Sequence, residues 1–357
     1  MPTLEIPLTR FLSTDGSVLG PLPDFASDAA GLLPLYRAMV LTRIFDEKAV
    51  ALQRTGRLGT FASSLGQEAV GVGVASAMAP EDVLLPSFRE QSAQIWRGVT
   101  PQEILMFWGG DERGSDFQGP REDFPISIPV ASHFPHAAGV ALAFQLRDEP
   151  RVAVGIAGDG ATSKGDFYEA VNIAAVWKVP AIFIVTNNQW AISVPRSAQT
   201  AATTLAQKAI AVGMPSEQVD GNDVIAVRHV VACAIAKARK GGGPSLIEAL
   251  TYRLSDHTTA DDAHRYREDA EVSTHWKYEP VARLRNYLTS QNAWTKSDEE
   301  ATLADCGARV DKAAEDYLAA AAQPATAMFD NLFDELPEDL RSQRELACKH
   351  EREANHG

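Results

Sequence analysis

The chain predicts an α/β fold, a mostly parallel sheet flanked by helices, with a helical extension at its C-terminal end. Three observations carry this. Val152–Thr186 reads as a buried strand, an amphipathic helix and a second buried strand, the signature of a βαβ unit whose strands lie parallel. The other strand-like runs, Val83–Leu85, Val219–Gly221 and Ser245–Thr251, are equally short and end in polar turns, as expected of strands buried on both faces. From about residue 274 the pattern turns wholly helical. With 357 residues the chain has room for a large α/β domain and an appendage.

Residues 1–27 are punctuated by Pro, Gly and Asp, as in Asp15-Gly16 and Pro21-Leu22-Pro23, and read as an irregular arm. Ser27 or Asp28 can cap a helix running to Thr55, with Leu35, Met39, Ile44, Ala49 and Leu52 as a packing stripe without chemistry. Gly59–Leu65 is a loop before a second helix, Gln67–Met78, in which Gly71 and Gly73 imply close packing. Strand Val83–Leu85 delivers Phe88-Arg89 at its carboxyl end. From the residues alone, Arg89 could pair with a phosphate, though a surface ion pair is the commoner role for such a residue. Gly109–Phe124 is a polar loop, and Ile126–Ser132 leads into helix His136–Leu146. His133 and His136, at i and i+3, could face one metal, but no carboxylate or Cys flanks them.

The centre of the chain is Gly158-Asp159-Gly160, twenty-six residues, then Asn187-Asn188. Both motifs fall at the carboxyl ends of neighbouring parallel strands, where open α/β sheets bind ligands. Asp166 is placed as the cap of helix Phe167–Trp177. Asp159 offers a carboxylate oxygen, Asn188 an amide oxygen and the Gln189–Ala191 turn its carbonyls. That donor set suits Mg²⁺, completed by phosphates and water. Gly158 and Gly160 admit a close backbone approach, and the helix start offers N–H groups to an anion. Rival phosphate motifs fit less well. The third Gly of a dinucleotide fingerprint is missing, and Asp166-Phe167 stands where a triphosphate loop needs Lys and Ser/Thr.

Later segments follow the same grammar: a loop and helix over Thr200–Met214, a helix over Asp223–Lys240, and strand Ser245–Thr251 ending in the long polar segment Tyr252–Asp269. Residues 274–357 hold helices Ser297–Ala322 and Met328–Glu353. We expect residues 1–27 as arm, 28–273 as the ligand-binding α/β domain and 274–357 as a helical extension, which on the residues alone is a solvated appendage or an interface. A net charge of −14 and a pI near 5.0 argue against non-specific nucleic-acid binding. Cys233, Cys306 and Cys348 form no Cys-x-x-Cys. No run is apolar enough to span a membrane, and the N-terminus shows neither a signal peptide nor an Arg-rich presequence. A cytoplasmic protein is expected.

The Gly-Asp-Gly…Asn-Asn spacing resembles the thiamin diphosphate motif of transketolase-type enzymes. The flanks GDFYEAVNIAAVWKVP and WAISVP resemble one family in particular, the alpha subunits of the decarboxylating (E1) component of 2-oxoacid dehydrogenase complexes. The resemblance covers residues 28–350 and implies a set of roles. Asp159, Asn188 and Trp190 (by its carbonyl) would hold Mg²⁺. Phe88, Arg89, Gly158, Gly160, Ala161 and Thr186 would bind the cofactor, with Arg89 on the diphosphate and the backbone of Ile128 and Val130 on the aminopyrimidine. His257, which matches the family's loop histidine, would act at the reactive end, with a pKa suited to proton transfer near neutrality. Arg265-Tyr266-Arg267 resembles the part that orders over bound cofactor. Where His133 stands, some branched-chain members have Gln in a potassium site, and the 109–124 loop departs from the family pattern.

The implied reaction is decarboxylation of a small 2-oxo acid on thiamin diphosphate, with the acyl group passed to a lipoyl domain of the acyltransferase core. The family draws its pyrimidine-facing Glu from a beta subunit in an α2β2 heterotetramer, and this chain has one diphosphate module only. A self-sufficient thiamin enzyme and a non-enzymatic scaffold are the alternatives. GRLGTFASSLGQEA resembles pyruvate-using members, while VDGNDV and LSDHTTADDAHRYR resemble branched-chain ones. Pyruvate is the expectation.

Overall fold

The structure, a computed structural model, describes residues 6–355. Residues 1–5 of the expected arm and 356–357 of the expected extension lie outside them. Two compact units are present, Met1–Ala314 and Glu315–Gly357.

The first unit is built on a six-stranded, wholly parallel sheet. In chain order its strands are β1 (Leu8–Thr9), β2 (Val83–Leu85), β3 (Ala153–Gly158), β4 (Ala181–Asn187), then, after a small antiparallel hairpin of β5 (Trp190–Ala191) and β6 (Val194–Pro195), β7 (Ser216–Asp220) and β8 (Ser245–Leu250). Their spatial order is β1-β7-β8-β4-β3-β2. The arm differs from the expectation. Its Leu8–Thr9 pairs with Gln218–Val219 as an edge strand, because Asp223 Oδ2 accepts the backbone N–H groups of Phe11 and Leu12 at 2.8 and 2.7 Å and pins the chain there.

Helices flank the sheet. They are α1 (Leu33–Arg54), α2 (Glu68–Ala77), α3 (Gln91–Arg97), α4 (Pro101–Trp108), α5 (His133–Leu146), α6 (Gly165–Trp177), the short α7 (Arg196–Gln199), α8 (Val224–Lys237), α9 (Asp269–Trp276), α10 (Pro280–Ser290) and α11 (Lys296–Ala319). Of these, α5 and α6 lie on one face and α2 and α8 on the other, and α11 ends in the second unit. Strand alternation sorts the core into two layers. Phe183 and Val185 of β4 join Phe134 of α5 and Phe167 of α6 on one side, while Ile182 and Ile184 join Val70 of α2 and Val227 of α8 on the other. Gly73 is the close-packing point expected of α2: a Cβ there would lie 2.6 Å from Val227 Cγ1.

Local differences have simple causes. Lys164, in extended conformation, is the residue before α6, so Asp166 sits inside the first turn instead of capping it; there its carboxylate still faces the positive end of the helix dipole. In α1 the buried stripe takes Phe45 in place of Ile44 and includes Thr42 and Asp46. The second unit carries α12 (Ala327–Asp330) and α13 (Glu338–Asn355), where one continuous helix was expected. Pro337 stands immediately before α13, where its missing N–H forfeits no helical hydrogen bond. Arg344 Nε pairs with Asp330 at 2.9 Å within this unit.

Candidate functional site

Parallel strands put all their carboxyl ends on one side, and four of them deliver the chemistry. β2 leads to Phe88-Arg89, β3 to Gly158-Asp159, β4 to Asn187-Asn188 and β8 to the segment bearing His257. A cavity of about 290 Å³ lies among these ends. Of the residues the resemblance assigns to the metal, the cofactor and the reactive end, all line it except Ile128, which is half exposed outside the lining; His136 and Arg265-Tyr266-Arg267 do not line it. The polar 109–124 segment contributes nothing to the lining.

Asp159 is 1% exposed. Gln199 Nε2 donates to its Oδ2 at 3.3 Å, and burial pushes its pKa up to about 6. A carboxylate so enclosed calls for a cation. Asn188 holds its amide by donating from Nδ2 to Gln67 Oε1 at 3.1 Å, which leaves Oδ1 as the acceptor of Trp190 N–H at 3.2 Å. The carbonyls of Trp190 and Ile192 accept from Arg253 at 3.2 and 2.9 Å, and a carbonyl with two lone pairs retains a second acceptor site. The turn that presents these oxygens is conformationally strained. Gln189 and the β-branched Ile192 both take positive φ, 74° and 57°.

The glycines divide the work. A Cβ on Gly160 would sit 2.9 Å from Ala191 Cβ, so Gly160 is required for the approach of the two metal-motif turns. A Cβ on Gly158 would meet no protein atom within 4 Å. Its bare backbone borders the open cavity, the kind of cradle a bound group fills. Thr186 Oγ1 is buried with no hydrogen-bond partner among the described residues. This donor set fits a Mg²⁺–diphosphate group. Among the described residues no cluster of three or more His, Cys, Asp or Glu exists, so a soft-ligand metal site is not built here.

Arg89 is buried and, among the described residues, bonded only to neutral acceptors: Ser63 O at 2.5 Å, His257 O at 2.9 Å and His257 Nδ1 at 3.2 Å. Burial and the nearby Arg253 bring its pKa down to about 10. A guanidinium only donates, so His257 Nδ1 accepts and the ring proton resides on Nε2. Burial, with Arg89 and Arg253 nearby, holds the His257 pKa down at about 4. This corrects the expectation of a histidine poised near neutrality: without an anion to offset the two arginines, His257 is neutral at pH 7. Its loop is tied down by a relay. Arg253 Nη2 donates to Tyr266 Oη at 2.9 Å, Tyr266 donates to Asp261, and Asp261 accepts His257 N–H at 2.9 Å.

His133 is not paired with His136 over a metal. It is buried, with its Nε2 at 2.8 Å from Ile156 O, and burial lowers its pKa to about 4. Glu90 and Gln67 line the cavity yet carried no signal in their motifs. Asp46, buried beneath the loop that receives Arg89, had one: an acidic residue in phase with the apolar stripe Leu35, Met39, Ala49 of α1.

Comparison with known proteins identifies the family. The model of the dehydrogenase E1 component family aligns with residues 36–326. The 3-methyl-2-oxobutanoate dehydrogenase subunit alpha of Mycobacterium tuberculosis is 47% identical over 266 residues, 74% of this chain and 72% of that protein. The pyruvate dehydrogenase E1 component subunit alpha of Staphylococcus aureus is 38% identical over 342 residues, 95% and 92% of the two chains. The chain therefore belongs to the dehydrogenase E1 component family, as an alpha subunit of a thiamin-diphosphate-dependent 2-oxoacid dehydrogenase of the pyruvate or branched-chain type.

Proposed function

We propose that this chain is the diphosphate- and metal-binding half of an E1 active site that decarboxylates pyruvate and transfers the acyl group to a lipoyl domain. One observation carries the reading: a buried carboxylate, a buried arginine paired only with neutral groups and an uncovered glycine backbone converge on one cavity. Asp159, Asn188 and the Trp190 carbonyl would hold Mg²⁺. Arg89, with the backbone at Gly158, Gly160 and Ala161, would take the diphosphate, and Phe88, Thr186, Ile128 and Val130 the remainder of the cofactor. When bound, thiamin diphosphate supplies the electron sink that decarboxylation needs. His257 keeps its proton on Nε2 while Nδ1 rests on Arg89, and an anion beside the two arginines would raise its basicity.

The beta subunit would supply the missing carboxylate and close the cavity, giving an α2β2 assembly. The exposed apolar side chains Ile128, Val130 and Ile192 near the cavity support a covering partner. No helix among the described residues is long and apolar enough to cross a membrane, and a cytoplasmic setting remains our reading. For the substrate, the 47% identity to a 3-methyl-2-oxobutanoate dehydrogenase favours a branched-chain 2-oxo acid as second reading. Steady-state rates of the reconstituted complex on pyruvate and on 3-methyl-2-oxobutanoate decide between them. The chain purified alone should decarboxylate neither, and turnover without a beta subunit would replace this reading with a self-sufficient enzyme.

A further inference from the structure

The loop between α1 and α2 touches three parts of the candidate site. Ser63 O receives Arg89, Gln67 Oε1 receives Asn188 Nδ2 at 3.1 Å, and Phe61 O receives Thr259 N–H, two residues beyond His257, at 2.9 Å. What holds this loop lies outside the cavity. Asp46 of α1 accepts, at Oδ2, Ser63 Oγ at 2.8 Å, Ser64 N–H at 2.5 Å and Ser64 Oγ at 3.0 Å. One helical turn earlier, Arg43 Nε donates to Glu68 at 2.8 Å, and Glu68 accepts Gly66 N–H at 3.0 Å. Asp46 is buried, and its Oδ1 has no hydrogen-bond partner among the described residues. Enclosing a carboxylate with one oxygen unsatisfied is costly. Its three bonds all go to two consecutive residues, and the first of these carries the carbonyl on which Arg89 rests.

We propose that Asp46 is a positioning residue for the cofactor site: by fixing Ser63 and Ser64 it sets the carbonyl that aims Arg89 into the cavity. The inference rests on the reading of Arg89 as the diphosphate-binding group. Asp46 does not line the cavity, so it acts on the bound group only through Arg89 and the loop. A purely structural anchor would stabilise the chain without knowing which side chain stands at residue 89. A positioning residue must be coupled to it.

The test is a double-mutant cycle on the full chain co-expressed with its beta subunit, read by calorimetric titration with thiamin diphosphate and Mg²⁺. Asp46→Asn should weaken binding by about tenfold, the scale of losses when a supporting hydrogen-bond partner of a ligand group is removed. The pair Ser63→Ala with Ser64→Ala should do the same while leaving Asp46 in place, and serves if Asp46→Asn fails to fold. On an Arg89→Lys background, which has already lost the forked guanidinium, either change should cost under about twofold more. Equal losses on both backgrounds, or no loss on the wild-type background, would overturn the positioning role alone. If Arg89→Lys binds cofactor like wild type, the diphosphate reading falls and this inference with it.

Discussion

Glu90 offers a sharp test of the electrostatics of the cavity. Its carboxyl is buried at the cavity wall, accepts Ser87 Oγ at 2.7 Å, and follows Arg89 in the chain. Burial outweighs both neighbours and pushes its pKa from 4.5 up to about 7. The folded chain therefore holds this proton more tightly than the unfolded chain does. The associated stability is complete below pH 4.5 and is lost as pH rises through about 7. Full ionisation costs about 3 kcal/mol on this displacement. Glu90→Gln keeps the shape and an acceptor for Ser87 but cannot ionise. In cofactor-free protein it should match wild type near pH 5 and be more stable at pH 8, with a melting temperature higher by roughly 5 °C. Thermal unfolding followed by circular dichroism across that range is the assay. A shift of equal size at pH 5 and pH 8, or a loss of stability at pH 8, would refute the view that desolvation dominates at Glu90.

Three further outcomes follow from the same geometry. Asp159→Ala should lower Mg²⁺-dependent cofactor affinity by roughly a hundredfold or more with the fold retained, and unchanged affinity in calorimetry of the assembled protein would remove the metal assignment. His257→Ala should reduce turnover with a lipoyl acceptor by about 10²–10⁴-fold and weaken cofactor binding far less; a near wild-type rate would make this histidine a bystander. Gly160→Val should push the Gly158–Ala161 turn away from Ala191, so that cofactor affinity falls although no ligand atom is removed. Wild-type affinity in that variant would show that the approach of the two turns is not what the glycine provides.

Much of this site was legible because parallel strands convert sequence position into spatial position. Once Ala153–Gly158 and Ala181–Asn187 are recognised as adjacent strands, Asp159 and Asn188 must emerge side by side, and Arg89 and His257 follow from strand ends of the same kind. Side chains whose partners come from remote segments could not be read so. Asp46 looks like a flaw in an apolar stripe until Ser63 and Ser64 are folded over it. Arg253 looks like a solvated strand end, yet it is fully buried against the carbonyls of the metal turn. The lowered pKa of His257 was hidden for a related reason: its main cause is burial, and Arg89 reaches the ring from a remote segment. Burial of an ionisable group is a property of the assembled fold, and periodicity reports only apolar burial.

The pairing Gly158↔Thr186 has a consequence for how this chain can vary. A strand advances about 3.3 Å per residue, whereas oxygen atoms must stay about 2.0–2.1 Å from a Mg²⁺ ion. A single-residue slip between β3 and β4 would thus carry Asn188 out of range of any ion held by Asp159. The same slip would exchange Phe183 and Ile182 between the two faces of the sheet. Insertions and deletions are therefore excluded from both strands by two unrelated penalties, one in packing and one in coordination. The connection through α6 escapes them only if it returns the chain to the same register. The sheet works as a ruler: its hydrogen-bond ladder is the measure that spaces the two turns proposed to hold the metal.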